Sequence, residues 1–177
     1  VTEEISWLEC SDSPKGAVNE VRKLTGWKRP KDAIRRKSRP TFSIVSSAKS
    51  VFWAPNFPEA LDQGKLSSCT GNDRAQVLST QPFTLKLTQY DAIKIYSRAT
   101  EIDEWQDNTY PPIDEGSSVL AATKASIDLG YFKGKYEVID TLEGLQTALQ
   151  RGPCDIGVNF YNDMFEPTRC GELIAKN

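Results

Sequence analysis

The stretch Leu61-Asp62-Gln63-Gly64-Lys65-Leu66-Ser67-Ser68-Cys69-Thr70-Gly71-Asn72 decides how this chain is read. It runs from a loop into a helical pattern, since Thr70 to Ser79 places Ala75 and Leu78 three apart on one face. Cys69 therefore stands at the loop-to-helix junction. The first turn of a helix presents unpaired N–H groups, which stabilise a thiolate and lower its pKa. Acyl transfer by such a thiolate also needs donors facing the oxyanion, and the Cys69 backbone N–H with the Gln63 side-chain amide is the candidate pair. Gly64 lets the intervening loop fold back tightly, and Ser68 completes the small-residue turn that supports it. Cys69 and Gln63 are thus the candidate catalytic residues. The competing reading makes Cys69 a buried small hydrophobe, the commoner fate of a lone cysteine.

Downstream, Thr88 to Thr100 sets Ala92, Ile93, Ile95, Tyr96 and Ala99 at helical spacing behind a Thr88 cap. Ser117 to Leu129 predicts a further helix closed by a left-handed Gly130, and Thr141 caps a short one that runs through Leu149. Between them, 101–116 is a polar, aromatic-studded loop with Pro111 and Pro112, long enough to suspect function. Tyr136 to Ile139 is strand-like. Cys154, Ile156, Val158 and Phe160 alternate with Asp155, Gly157 and Asn159, which predicts a strand with one buried face and Cys154 in the core. Helices first and strands last give an α+β class with segregated layers.

Upstream, residues 1–41 are polar, broken by Pro14, Pro30 and Pro40, and read as an arm in which only short helices such as Ala17 to Leu24 are credible. Arg22 to Arg39 holds nine basic residues against Asp32 alone, a run suited to solvent or to an acidic protein partner. The globular domain is expected over 42–177. A length of 177 residues allows one well-buried domain plus an arm and not two full domains. No run of ~18 apolar residues is present to span a bilayer, and a net charge of −2 gives no reason to expect nucleic-acid binding.

Cys10, Cys69, Cys154 and Cys170 are spaced too widely for a disulfide framework. With no CxxC and no histidine, a zinc site is excluded, and no metal or cofactor is expected. Gly64-Lys65 is not a phosphate loop, because Leu66 stands where Ser or Thr is needed and Glu59 where the leading glycine belongs. Asp103, Glu104, Asp107, Asp114 and Glu115 read as a solvated acidic loop rather than a glycosidase pair.

The spacing of Gln63 and Cys69, six apart across a Gly and a small-residue turn, resembles the papain family of cysteine peptidases. More closely, Asp62 to Asn72 is similar to the DQGxLGSCTGN signature of its bacterial and bacteriophage branch, with Ser67 in place of a glycine. The resemblance extends through Tyr110-Pro111-Pro112, Asp114-Glu115-Gly116-Ser117-Ser118 and Leu145 to Tyr161, covering roughly 42–177. It implies a papain-like fold, the helical half plus the start of an antiparallel β half, with the groove between the halves. It also implies a catalytic His, with its Asn, beyond Asn177. In such enzymes these lie ~130–150 residues after the Cys, whereas 108 residues follow Cys69 here.

The chain accordingly reads as incomplete at its C-terminus. Asp73 and Arg74 depart from the small apolar residues of the relatives, so the nucleophile helix is expected to pack less deeply. Two functions remain open. One is a thiol peptidase acting on a peptide or protein substrate, phage- or bacteria-encoded and in a virion or extracellular setting rather than the cytoplasm. The alternative is an inactive scaffold serving as a structural or virion-assembly component.

Overall fold

The computed structural model describes residues 49–57, 59–105, 107–158 and 164. The chain divides into two units, Arg22–Gly157 and a second made of Val1–Val21 with Val158–Asn177; nearly all the described residues belong to the first. The arm at 1–41, the basic run Arg22 to Arg39, the expected helix Ala17 to Leu24, Cys10, Cys170 and Phe160 lie outside the described residues.

Among the described residues, four helices form where the pattern places them: α1 (Cys69–Leu78), α2 (Gln89–Ile102), α3 (Val119–Asp128) and α4 (Leu142–Leu149). Three begin on hydroxyl caps. Thr88 accepts from the Asp91 N–H while Asp91 accepts from the Thr88 N–H in return, Ser118 accepts from Ala121, and Thr141 from Gly144. Helix α3 ends as its glycine predicts, with Gly130 at φ +78 and the Tyr131 N–H donating to Ser126 at 2.9 Å.

Helices α1, α2 and α3 pack around a core of small residues: Ala75, then Ala92, Ile95 and Ala99, then Ala121, Ala122 and Ala125. Alanines at the seam let the helix axes approach, and Leu61, Leu87, Ile102 and Tyr131 close the edges. Helix α1 packs on both α2 and α3, most heavily on α2, burying Thr70, Gly71, Asn72, Arg74, Ala75, Val77 and Leu78, which is more than one face. The expectation that its charges would hold it off the core is overturned. Arg74 is only 6% exposed because its guanidinium finds partners inside.

Gly71 sets how near α1 and α2 come. A Cβ there would fall on the Ala92 carbonyl oxygen and lie 2.8 Å from the Tyr96 Cβ. Because both obstacles are rigid, Gly71→Ala is expected to cost about 2 kcal/mol through overpacking, read as a lower urea midpoint at unchanged slope.

The expected α+β class is not what these residues form. Helices dominate, and among the described residues there is no sheet, only one antiparallel bridge between Pro55 and Thr80. Neither Tyr136–Ile139 nor the described part of Cys154–Phe160 is a strand. The papain-like β half is therefore absent from the described residues.

The physical reason is visible at 154–158. In the strand reading Asp155 points to solvent and Ile156 to the core. In the structure Asp155 is drawn inward by Arg74 at 2.8 Å, Ile156 and Val158 are 58% and 54% exposed, and Cys154 is half-buried. An interior charge pair sets which way the run faces, and no ladder forms to hold the alternation. Just ahead of this run, Leu149 and Gln150 are tied by side-chain bonds to the stretch at 49–53. The Trp53 indole N–H donates to the Leu149 carbonyl at 2.9 Å, and Gln150 bonds the Lys49 backbone through both ends of its amide.

Candidate functional site

The turn before α1 is built residue by residue from the sequence quoted above. The Asp62 carboxylate accepts from the Gly64 N–H at 2.8 Å, and the Gln63 carbonyl accepts from the Leu66 N–H at 3.2 Å. Gly64 sits at φ +59 with nothing within 4 Å of where a Cβ would be, so glycine is needed for its backbone angle rather than for space. The half-buried Gln63 side chain donates one amide hydrogen to the Leu66 carbonyl at 2.7 Å. A primary amide has two such hydrogens, and the second remains for another acceptor.

Cys69 is the first residue of α1 and is partly exposed. Ser68, fully buried at the N-cap, makes no capping bond and faces Asn72. The first turn of α1 contains no acidic residue, and the Ser68 side chain takes none of its N–H groups, although the Ser68 carbonyl accepts from the Asn72 N–H at 3.0 Å.

Asn72 is the clamp. With its amide nitrogen turned to Ser68, 3.3 Å from Oγ and 3.2 Å from the carbonyl oxygen, its amide oxygen accepts from the Gln63 N–H at 3.2 Å. One side chain thus ties the start of the loop, its end and the helix together, and the Gln89 amide braces it from α2 at 3.2 Å. The structure brings Gln63, Ser68 and the helix start at Cys69 into one hydrogen-bonded unit. Gly64 forms the bend behind them.

Two residues of this unit were not legible as such. Asp114, 47 positions after Ser67, accepts from the Ser67 N–H at 2.9 Å through Oδ1 and at 3.2 Å through Oδ2. Its backbone carbonyl accepts from the Ser67 hydroxyl at 3.3 Å, a second tie at the same residue. The wholly buried Tyr96 donates its hydroxyl to the same Asp114 Oδ1 at 2.7 Å and accepts from the Gly116 N–H at 3.1 Å. Burial, foremost, and the Asp114 contact push the phenol pKa up; a negative charge on Cys69 would push it the same way, so thiol and phenol lie within electrostatic reach.

The 101–116 loop is not simply a solvated acidic loop. Asp103 accepts from Asn108, Ser117 and the Trp105 N–H, and Asn108 donates to the Gly116 carbonyl at 2.7 Å. Asp103 and Asp114 hold the loop from inside, while Asp107 and Glu115 face solvent.

Beneath α1 lies a second polar cluster. Arg74 pairs with Asp155 at 2.8 Å, donates to Ser126 Oγ at 3.0 Å and lies over the Phe132 ring at 5.0 Å. Burial raises the Asp73 carboxyl from 3.8 to about 7, with Asp155 adding repulsion and Arg74 opposing. Burial also raises Asp155 against the pull of Arg74. Asp155 holds the direct ion pair, so Asp73 is the member that takes up a proton first.

Since the folded chain binds the Asp73 proton more tightly than the unfolded chain, ionising it costs stability. That contribution is present below about pH 4 and is lost as pH rises towards 7. Asp73→Asn is therefore expected to stabilise the fold by about 1–3 kcal/mol at pH 8 and to change little at pH 4, measured by urea unfolding at both.

Among the described residues, no helix is long and apolar enough to cross a membrane. No family model, curated protein or solved structure matches the chain.

Proposed function

We propose that the chain carries the nucleophile and oxyanion site of a thiol peptidase, in which Cys69 attacks a peptide carbonyl and Gln63 with the Cys69 N–H holds the oxyanion. The observation that carries this reading is the unit around α1. A partly exposed thiol opens the helix, the N-cap side chain is turned away to Asn72, and a side-chain amide with a hydrogen to spare is pinned to the same turn. The likeness to papain-like peptidases rests on Asp62 to Asn72 and not on a β half.

In the reaction the thiolate adds to the carbonyl, and the tetrahedral oxyanion forms where the helix N–H groups are directed. The amine leaves on taking a proton, and water then releases the acid from the thioester. The proton carrier for a peptide bond is an imidazole, which the 177 residues do not contain and which must be supplied from outside them.

Mass spectrometry after iodoacetamide treatment tests the nucleophile. Cys69 is expected to react at least about 10-fold faster near pH 7 than Cys10 or Cys154, as an acidified thiol does. Burial raises the Cys154 thiol pKa, and Asp155 adds to it, so Cys154 should be slow. Cys69 labelling no faster than Cys10 would sink the proposal. A second reading, an inactive assembly component docked through the Arg22 to Arg39 run, draws on the absence of histidine and the nine cations of that run. It predicts salt-sensitive association with an acidic protein and no acyl transfer.

A further inference from the structure

Asp62 bonds within the turn that carries Cys69, at Gly64, whereas the Asp114 carboxylate reaches that turn from a distant loop and does two separable things. One oxygen, Oδ1, receives both the Ser67 N–H at 2.9 Å and the Tyr96 hydroxyl at 2.7 Å. Through these bonds the 103–118 loop and α2 are fastened to the residue two places before the thiol. The same group is also an anion placed beside a helix N-terminus, where N–H dipoles favour a thiolate. A fixed negative charge there opposes thiol ionisation.

Resting on the reading of Cys69 as the nucleophile, we propose that Asp114 is a positioning residue for the thiol: it locks the Ser67-Ser68 turn beneath Cys69 and offsets part of the acidification that the α1 terminus provides. The thiolate would then be only partly favoured until a cationic imidazole arrives to pair with it. Other titratable groups near the turn are the exposed Asp62 and Lys65 within it, Tyr96, whose hydroxyl is committed to Asp114 and Gly116, and Asp73, one turn along α1.

The hydrogen bonds let charge and position be tested apart. Because Oδ1 serves both donors, Asp114→Asn with its amide oxygen in that place keeps these two bonds and removes the charge, losing besides only the longer 3.2 Å bond from the Ser67 N–H to Oδ2. The experiment uses the 177-residue chain and follows iodoacetamide alkylation of Cys69 by mass spectrometry from pH 5 to 10, with thermal unfolding as the fold control. A D114N chain that melts as the parent does should show the Cys69 midpoint lowered by roughly half to one unit, and severalfold faster labelling below the midpoint. A superimposable or raised midpoint would overturn the proposal.

If D114N does not fold, Tyr96→Phe is read in the same way. It keeps the carboxylate but removes a donor that spreads its charge, so the midpoint should rise; an unchanged or lower one overturns the proposal. Alkylation reports the midpoint whether or not Cys69 transfers acyl groups. Failure here is therefore distinct from failure of the peptidase reading, which would leave the Asp114 dependence intact and acyl transfer absent.

Discussion

Arg74→Ala is expected to lower the stability of the chain by about 3–5 kcal/mol, a large share of the ~5–15 kcal/mol that holds a domain together. The guanidinium is 7% exposed and its partner Asp155 12%, so neither can turn to water when the other is removed. Alanine would strand the Asp155 carboxylate, whose Oδ1 already lacks a hydrogen-bond partner, and would take the donor from Ser126. It would also uncover the face of Phe132, which stacks edge-on with Phe83 at 5.7 Å.

The loss should be larger at pH 8 than at pH 5. Without Arg74 the folded pKa values of Asp73 and Asp155 move further above their unfolded ones, and the cost of ionising them is met only as pH rises. Replacing both partners with apolar residues, Arg74→Met with Asp155→Leu, should recover most of the stability, because the penalty comes from the orphaned charge rather than from loss of the pair. Urea melts of the single and double variants at the two pH values decide the matter. A single variant within about 0.5 kcal/mol of the parent at pH 8 would show that the pair is solvated after all.

Gln63→Ala should slow acylation of Cys69 by an activated ester about 100-fold or more, the scale of losing one oxyanion donor. The residue has a second task, since its amide donates to the Leu66 carbonyl, so a loosened turn is the obvious competing cause. Alkylation separates them. Displacement of iodide from iodoacetamide forms no oxyanion, so the variant should alkylate at Cys69 within about 2-fold of the parent while its acylation fails. Equal slowing of both reactions would assign Gln63 to holding the turn and remove it from the oxyanion site.

The helices were legible because their signals are local: Thr88 with Asp91, Thr141 with Gly144 and Gly130 after Leu129 each specify an end within four residues. The turn before Cys69 was legible for the same reason, Gly64 marking the left-handed bend. The strand at Cys154 was misread because its facing depends on Arg74, 81 positions away, and an alternating pattern carries no record of a distant ion pair.

Asp114 escaped similarly. Its value as a carboxylate becomes visible only when folding brings Ser67, 47 positions off, and Tyr96, 18 positions off, to one oxygen atom. The charges on α1 looked like an obstacle to packing because a sequence displays a charge and not the buried partner that receives it.

The nucleophile itself is tested most directly by mixing the 177-residue chain with p-nitrophenyl acetate, which needs no protonated leaving group and hence no histidine. The thiolate attacks the ester carbonyl, p-nitrophenolate leaves and an acetyl thioester remains. The expected result is a burst approaching one p-nitrophenolate per chain with the acetyl group on Cys69 by peptide mapping, followed by slow turnover that added imidazole accelerates. A burst that is absent, or acetyl groups found on Cys10, Cys154 and Cys170 as often as on Cys69, would contradict it.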